Sequence, residues 1–233
     1  MAHHNHHLIF VLSSLVVIAL VALQGTHAVQ YDVTNEAVGT PGGTIFDNQI
    51  GIEYSRQTLE SGSAFIWQIF GQSNEADRKN VQRISMFVRP VDGVASTSGD
   101  QIQVSANYIA RFSGDVKREI TGVLYHELTH VWQWDGTPGP RTPGSLIEGI
   151  ADYVRLKANY PAPGWVQAGA GNSWDERSDV TAHFLDYCNS LRAGFVAELN
   201  SKMRTGYNAN YFVELLGKTA EQLFSDYKAM YAS

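Results

Sequence analysis

In the stretch YHELTHVWQW, residues 125–134, two histidines stand four apart and a glutamate directly follows the first. On a helix, His126 and His130 project from nearly the same face one turn apart, so both can grip one metal ion. Glu127 lies about 100° round such a helix, where it reaches a water on that ion without being a ligand. Zn2+ brings the pKa of that water to around 7, and a neighbouring carboxylate takes its proton as attack begins. The chemistry this suggests is metal-assisted hydrolysis. The competing reading is an amphipathic helix in which two histidines fall four apart by chance.

A catalytic zinc takes three protein ligands and keeps an open position, so a third ligand has to be found. Beyond a loop with three prolines, the stretch EGIAD offers Glu148 and Asp152, again four apart. Glu148 can complete a His2Glu set, and Asp152 can accept the free imidazole N–H of a ligating histidine and fix its tautomer. Two other readings stay open at these positions. Ser145 to Glu148 fits a capping box, and Asp152 fits a solvated surface charge.

Other candidates are less specific. His183 can donate to a developing oxyanion, or sit on a helix surface without a role. Tyr153, Tyr187 and Tyr211 are equally open as donors. Trp132 belongs with the core, while Trp134, Trp165 and Trp174 fit either packing or a binding platform. Cys188 is the single cysteine, so no intramolecular disulfide forms, and its apolar neighbours favour a buried thiol over a nucleophile.

These residues need elements to hold them. Ile120, Val123, Leu124, Leu128, Val131 and Trp132 recur at three and four, which predicts a helix from Val116 to about Asp135. A second helix is expected from Ser145, with three or four more after it. Earlier, 46–71 carries helical spacing, 82–89 and 100–109 alternate as strands, and 92–99 reads as a loop. The expected architecture is α+β, a small and mainly antiparallel sheet followed by a helical region.

The apolar run from Leu8 to Leu23, followed by Thr26 and Ala28 at a small-x-small site, predicts a signal peptide over 1–28 and one domain over 29–233. Sixteen residues fall short of the roughly 20 that span a bilayer, so no stable membrane association is expected after cleavage. The formal charge of −6 argues against nucleic acid as a partner.

HELTH followed within twenty residues by E-x-x-x-D resembles the gluzincin pattern of thermolysin-type metalloendopeptidases. That resemblance implies Glu127 as general base, His126, His130 and Glu148 as zinc ligands, and Asp152 as the orienting carboxylate. It also implies an edge strand ahead of the zinc helix that pairs with extended substrate, a place held by residues 101–109. IWQIFG, LIEGIADYVRLKA, WDERSDVTAHFLDYCNSL and LLGKTAEQLFSDYKAMY extend the likeness to the plant basic secretory protein family, also described as peptidases of plants and bacteria. This resemblance implies a zincin-like fold, secretion to the extracellular space or apoplast, a defence setting, and activity on peptide or protein substrates. The acidic composition departs from the family's name. The alternative is a secreted pathogenesis-related binding protein that keeps a zinc site with little or no protease activity.

Overall fold

The computed structural model describes residues 28–232. The expected signal peptide therefore lies outside the described residues, apart from Ala28. Among the described residues, no helix is long and apolar enough to cross a membrane.

Strand β1 (Gln30–Asn35) leads through α1 (Pro41–Ile45), a π-helical turn at Phe46–Ile50 and the long helix α2 (Ile52–Ile69) to β2 (Arg83–Arg89). Strands β3 (Ala95–Ser98) and β4 (Gln101–Ser105) follow. The sheet order is β1-β2-β4-β3. β1 pairs parallel with β2, and β2 parallel with β4; only β3 with β4 is antiparallel. The expectation of a mainly antiparallel sheet is therefore corrected. Alternation within a strand reports which face is buried, but not the direction of its neighbour, which the α2 crossover decides here.

Two further boundaries differ from the sequence reading. The segment 92–99 contains β3, whose Ala-Ser-Thr-Ser carries no apolar alternation and so gives no strand signal. Its pairing puts Ser98 opposite Gln101, leaving Gly99 and Asp100 as a two-residue turn with Gly99 at φ +61°. Residues 106–111 are not strand but the short helix α3 (Ala106–Arg111), begun by Ser105, whose hydroxyl accepts from the Tyr108 N–H. Consequently β4 is interior and β3 lies at one edge of the sheet, so the edge strand expected at 101–109 is instead Ala95–Ser98.

The helical half begins with α4 (Val116–Trp132) and α5 (Gly144–Lys157). It continues with α6 (Ser178–Leu191), α7 (Phe195–Lys202), α8 (Tyr211–Leu216) and α9 (Ala220–Tyr231). Asp115 caps α4 by accepting from the Arg118 N–H. The whole Ile120 to Trp132 stripe is buried. Trp132 donates its indole N–H to Ser63 of α2 at 3.0 Å, which ties these two helices together. α5 starts at Gly144 behind Pro143, and no side chain caps it. Glu148 then falls more than a turn inside the helix, so the capping box at Ser145 is not formed.

Close approach of α4 and α5 depends on Gly122. A Cβ there would meet Arg155 Nε at 2.7 Å and the Tyr160 backbone oxygen at 2.8 Å. Alanine adds up to about 1 kcal/mol of helix propensity. Overpacking against a backbone atom costs about 1–3 kcal/mol. Gly122→Ala is therefore expected to destabilise the protein in a urea titration. Equal or greater stability would show that the helices can part without cost.

Candidate metal centre

α4 and α5 meet along a ladder of polar contacts. At one end the buried Arg155 donates to the buried Glu119 at 2.9 Å and to the Tyr160 carbonyl at 2.7 Å. Tyr108 also donates to Glu119, and burial together with that carboxylate pushes its pKa up to about 12. In the middle, His126 Nδ1 lies 2.7 Å from Asp152. At the other end Glu148 reaches both imidazoles. The partners count upward on one helix and downward on the other, so the helices run antiparallel.

This arrangement brings three donor atoms together. His126 Nε2 is 3.1 Å from His130 Nε2 and 3.2 Å from Glu148 Oε2, and His130 Nε2 is 3.6 Å from the same carboxylate oxygen. Tetrahedral zinc with bonds of about 2.0–2.1 Å sets neighbouring donors roughly 3.3 Å apart. Two neutral imidazoles and one carboxylate are also the donor types such an ion takes. The residues present fit a zinc ion.

Asp152 is 4% exposed and bonds the His126 nitrogen opposite the donor atom, the place expected for a carboxylate that orients a ligand. Burial opposes charge on His126, but hydrogen bonds to Asp152 and Glu148 outweigh it and raise its pKa to about 9. The two imidazoles in turn hold the Glu148 carboxyl far below its usual range, His126 more than His130. A histidine whose pKa is raised on folding contributes stability that is complete below its unfolded pKa of about 6.5. That contribution fades as pH climbs through the folded value. In metal-free protein, the stability gap between wild type and His126→Gln is expected to shrink from pH 6.5 to about 9 in denaturant titrations. A gap that stays constant would refute this origin for the shift.

Glu127 stands next to the donor set without joining it. It is 5% exposed, and the Thr97 hydroxyl of β3 donates to its carboxylate at 2.6 Å and to its carbonyl at 3.1 Å. Thr97 had no signal in the sequence, because β3 itself had none. Gln133 and Arg155 were also missed as contributors; with the donor set and Trp165, for which the sequence left a binding platform open, they line one cleft of about 720 Å3. Val94 to Thr97 form the opposite wall, so the cleft runs between the edge strand and the helix ladder.

His183 is not brought to this cleft. From α6 its Nε2 lies 3.1 Å from the carbonyl of Val166 in the loop before that helix, and the ring is not among the groups that line the cleft. Tyr153, Tyr187 and Tyr211 are likewise absent from the cleft lining. Tyr187 packs on Tyr227, and Tyr211 donates to the Gly206 carbonyl. Trp174 packs on Phe184 and Phe212, and the Trp134 ring meets the cationic groups of Lys79 and Arg204. Cys188 is fully buried, and burial pushes its thiol well above the usual range, so it is no nucleophile.

Comparison with known proteins agrees with the family seen in the sequence. A family profile described as peptidase of plants and bacteria matches residues 26–227. The basic secretory protease of Boswellia serrata is 53% identical over 58 residues, a stretch covering 25% of this chain and 66% of that relative. Among solved structures, the M1 zinc metallopeptidase of Deinococcus radiodurans superposes with a TM-score of 0.52 at 14% identity. A point mutant of it gives the same score at 15%. Each superposition covers 87% of this chain but 49% of the larger protein, and at such identity the likeness concerns the fold, which is zincin-like.

Proposed function

Because the chain belongs to the family of peptidases of plants and bacteria, we propose that it is a secreted, single-domain, zinc-dependent endopeptidase. The observation that carries this reading is the near-tetrahedral spacing of His126 Nε2, His130 Nε2 and Glu148 Oε2, with the Glu127 carboxylate beside them and outside the set.

In this reading His126, His130 and Glu148 hold the ion, and Asp152 keeps the His126 proton on Nδ1 so that Nε2 is free to bind. Zinc supplies Lewis acidity when bound, activating water and polarising the scissile carbonyl. Glu127 accepts a proton as the water oxygen bonds to the carbonyl carbon. It then delivers that proton to the leaving amide nitrogen as the C–N bond breaks. Thr97 holds the carboxylate in place through its hydroxyl. Among the described residues β3 has one edge without a strand partner, and a substrate chain laid along it would gain backbone hydrogen bonds with little demand on side chains. The substrates proposed are accordingly peptides and proteins in extended conformation.

Export is supported by the apolar leader in the sequence and by the name of the Boswellia relative. A defence setting follows the family resemblance. The binding-protein alternative leaves Glu127 without a purpose, since a purely structural zinc site has no use for an uncoordinated carboxylate held against it.

The test is metal analysis of the purified protein together with digestion of a mixed peptide library, with and without a chelator. One zinc per chain and chelator-sensitive internal cleavage are expected. Metal-free protein, or zinc-loaded protein that leaves the library intact, would reject the proposal.

A further inference from the structure

His126 has Asp152 to fix its tautomer, but among the described residues no carboxylate bonds His130 Nδ1. The group there is the Gln133 amide, whose Nε2 lies 2.7 Å from His130 Nδ1. Gln133 closes α4 one turn after Thr129 and is 2% exposed. Its Nε2 also donates to the Ile147 carbonyl at 3.2 Å. Its Oε1 is buried and has no hydrogen-bond partner among the described residues.

A buried amide oxygen without a partner costs about 1–3 kcal/mol, so its position calls for a cause. The metal-holding tautomer of His130 supplies one. If Nε2 gives its lone pair to an ion, Nδ1 must carry the proton, and a buried N–H needs an acceptor. In the orientation seen here, that N–H would face the amide N–H2, donor against donor. The two ends of an amide have nearly the same shape. A half-turn of the Gln133 side-chain amide brings the orphaned oxygen onto Nδ1, gives up the longer bond to Ile147 and moves Nε2 to the place the oxygen held.

We propose that Gln133 is the positioning residue for His130, its amide turning so that Oε1 accepts from Nδ1–H when a metal is held. The inference rests on the reading that His126, His130 and Glu148 bind zinc. It makes the second histidine dependent on a neutral amide, where the first depends on a carboxylate. The amide orientation and the metal are then linked, because each state favours a different end of Gln133.

Two variants separate this role from ordinary packing. Gln133→Met keeps the shape but has no acceptor; Gln133→Glu keeps an acceptor but cannot donate to Ile147. Zinc dissociation constants from chelator competition are expected to weaken about 10- to 100-fold for Gln133→Met. For Gln133→Glu they should stay within about threefold of wild type, or tighten. Thermal unfolding of the metal-free proteins reports the loss of packing and of the Ile147 bond separately from the zinc affinity. Wild-type affinity in Gln133→Met, or equal weakening in the two, would overturn the proposal. Should Gln133→Met not fold, Gln133→Glu decides alone, with tenfold weakening counting against it. A wild type whose zinc binding is indifferent to His130→Ala sinks the underlying metal reading instead, so the two failures are told apart.

Discussion

Glu127→Gln is expected to lower the turnover of any peptide the wild type cleaves by about 10²- to 10⁴-fold, the range for losing a positioned general acid–base, while zinc content stays unchanged. The change is nearly isosteric, and the Thr97 hydroxyl can still bond the remaining side-chain oxygen. Glu127 is not among the three donor groups, so the ion keeps all its protein ligands. What disappears is the capacity to take a proton from water and pass it to the leaving nitrogen. Single-turnover assays beside metal analysis check both halves. If Glu127→Gln cleaves as fast as wild type, the carboxylate is not the proton carrier. If it loses zinc, the residue belongs to the ligand set and the division of roles is wrong.

Glu148→Ala should have the opposite signature: zinc is lost, and activity goes with it. Removing one of three protein ligands is expected to weaken binding by more than the roughly 10- to 100-fold that follows loss of an orienting partner. The side chain is 52% exposed, so truncation opens no buried cavity and the fold should persist. Isothermal titration with zinc and far-ultraviolet circular dichroism measure the two effects separately. Wild-type zinc affinity in Glu148→Ala would mean that the ion is held elsewhere.

Much of the centre is legible in the sequence, and for a local reason. Four residues on a helix is a fixed rotation, so the pairing of His126 with His130, and of Glu148 with Asp152, follows from helical geometry alone. The helices themselves were readable because the stripe from Ile120 to Trp132 recurs at helical spacing, and all of it is buried. The edge strand was not readable. Its four small residues bury too little to leave a pattern, and its place at the cleft depends on β4 pairing parallel with the distant β2. His183 stayed undecided for a similar reason: a histidine on an amphipathic helix gives no sign of which neighbour its ring will meet.

The amino-acid sequence by itself determined which groups are available and which of them share a helical face, because spacing along a chain is a short-range property. Tertiary structure alone decided that α5 runs back along α4, so that Asp152 meets His126 and Glu148 meets both imidazoles. It also decided that Thr97 on the sheet edge would hold Glu127, and that the Gln133 amide would lie against His130. Those contacts come from how two helices and an edge strand pack together. The free energy of that packing is spread over the whole core, which is why no short stretch of residues announces it.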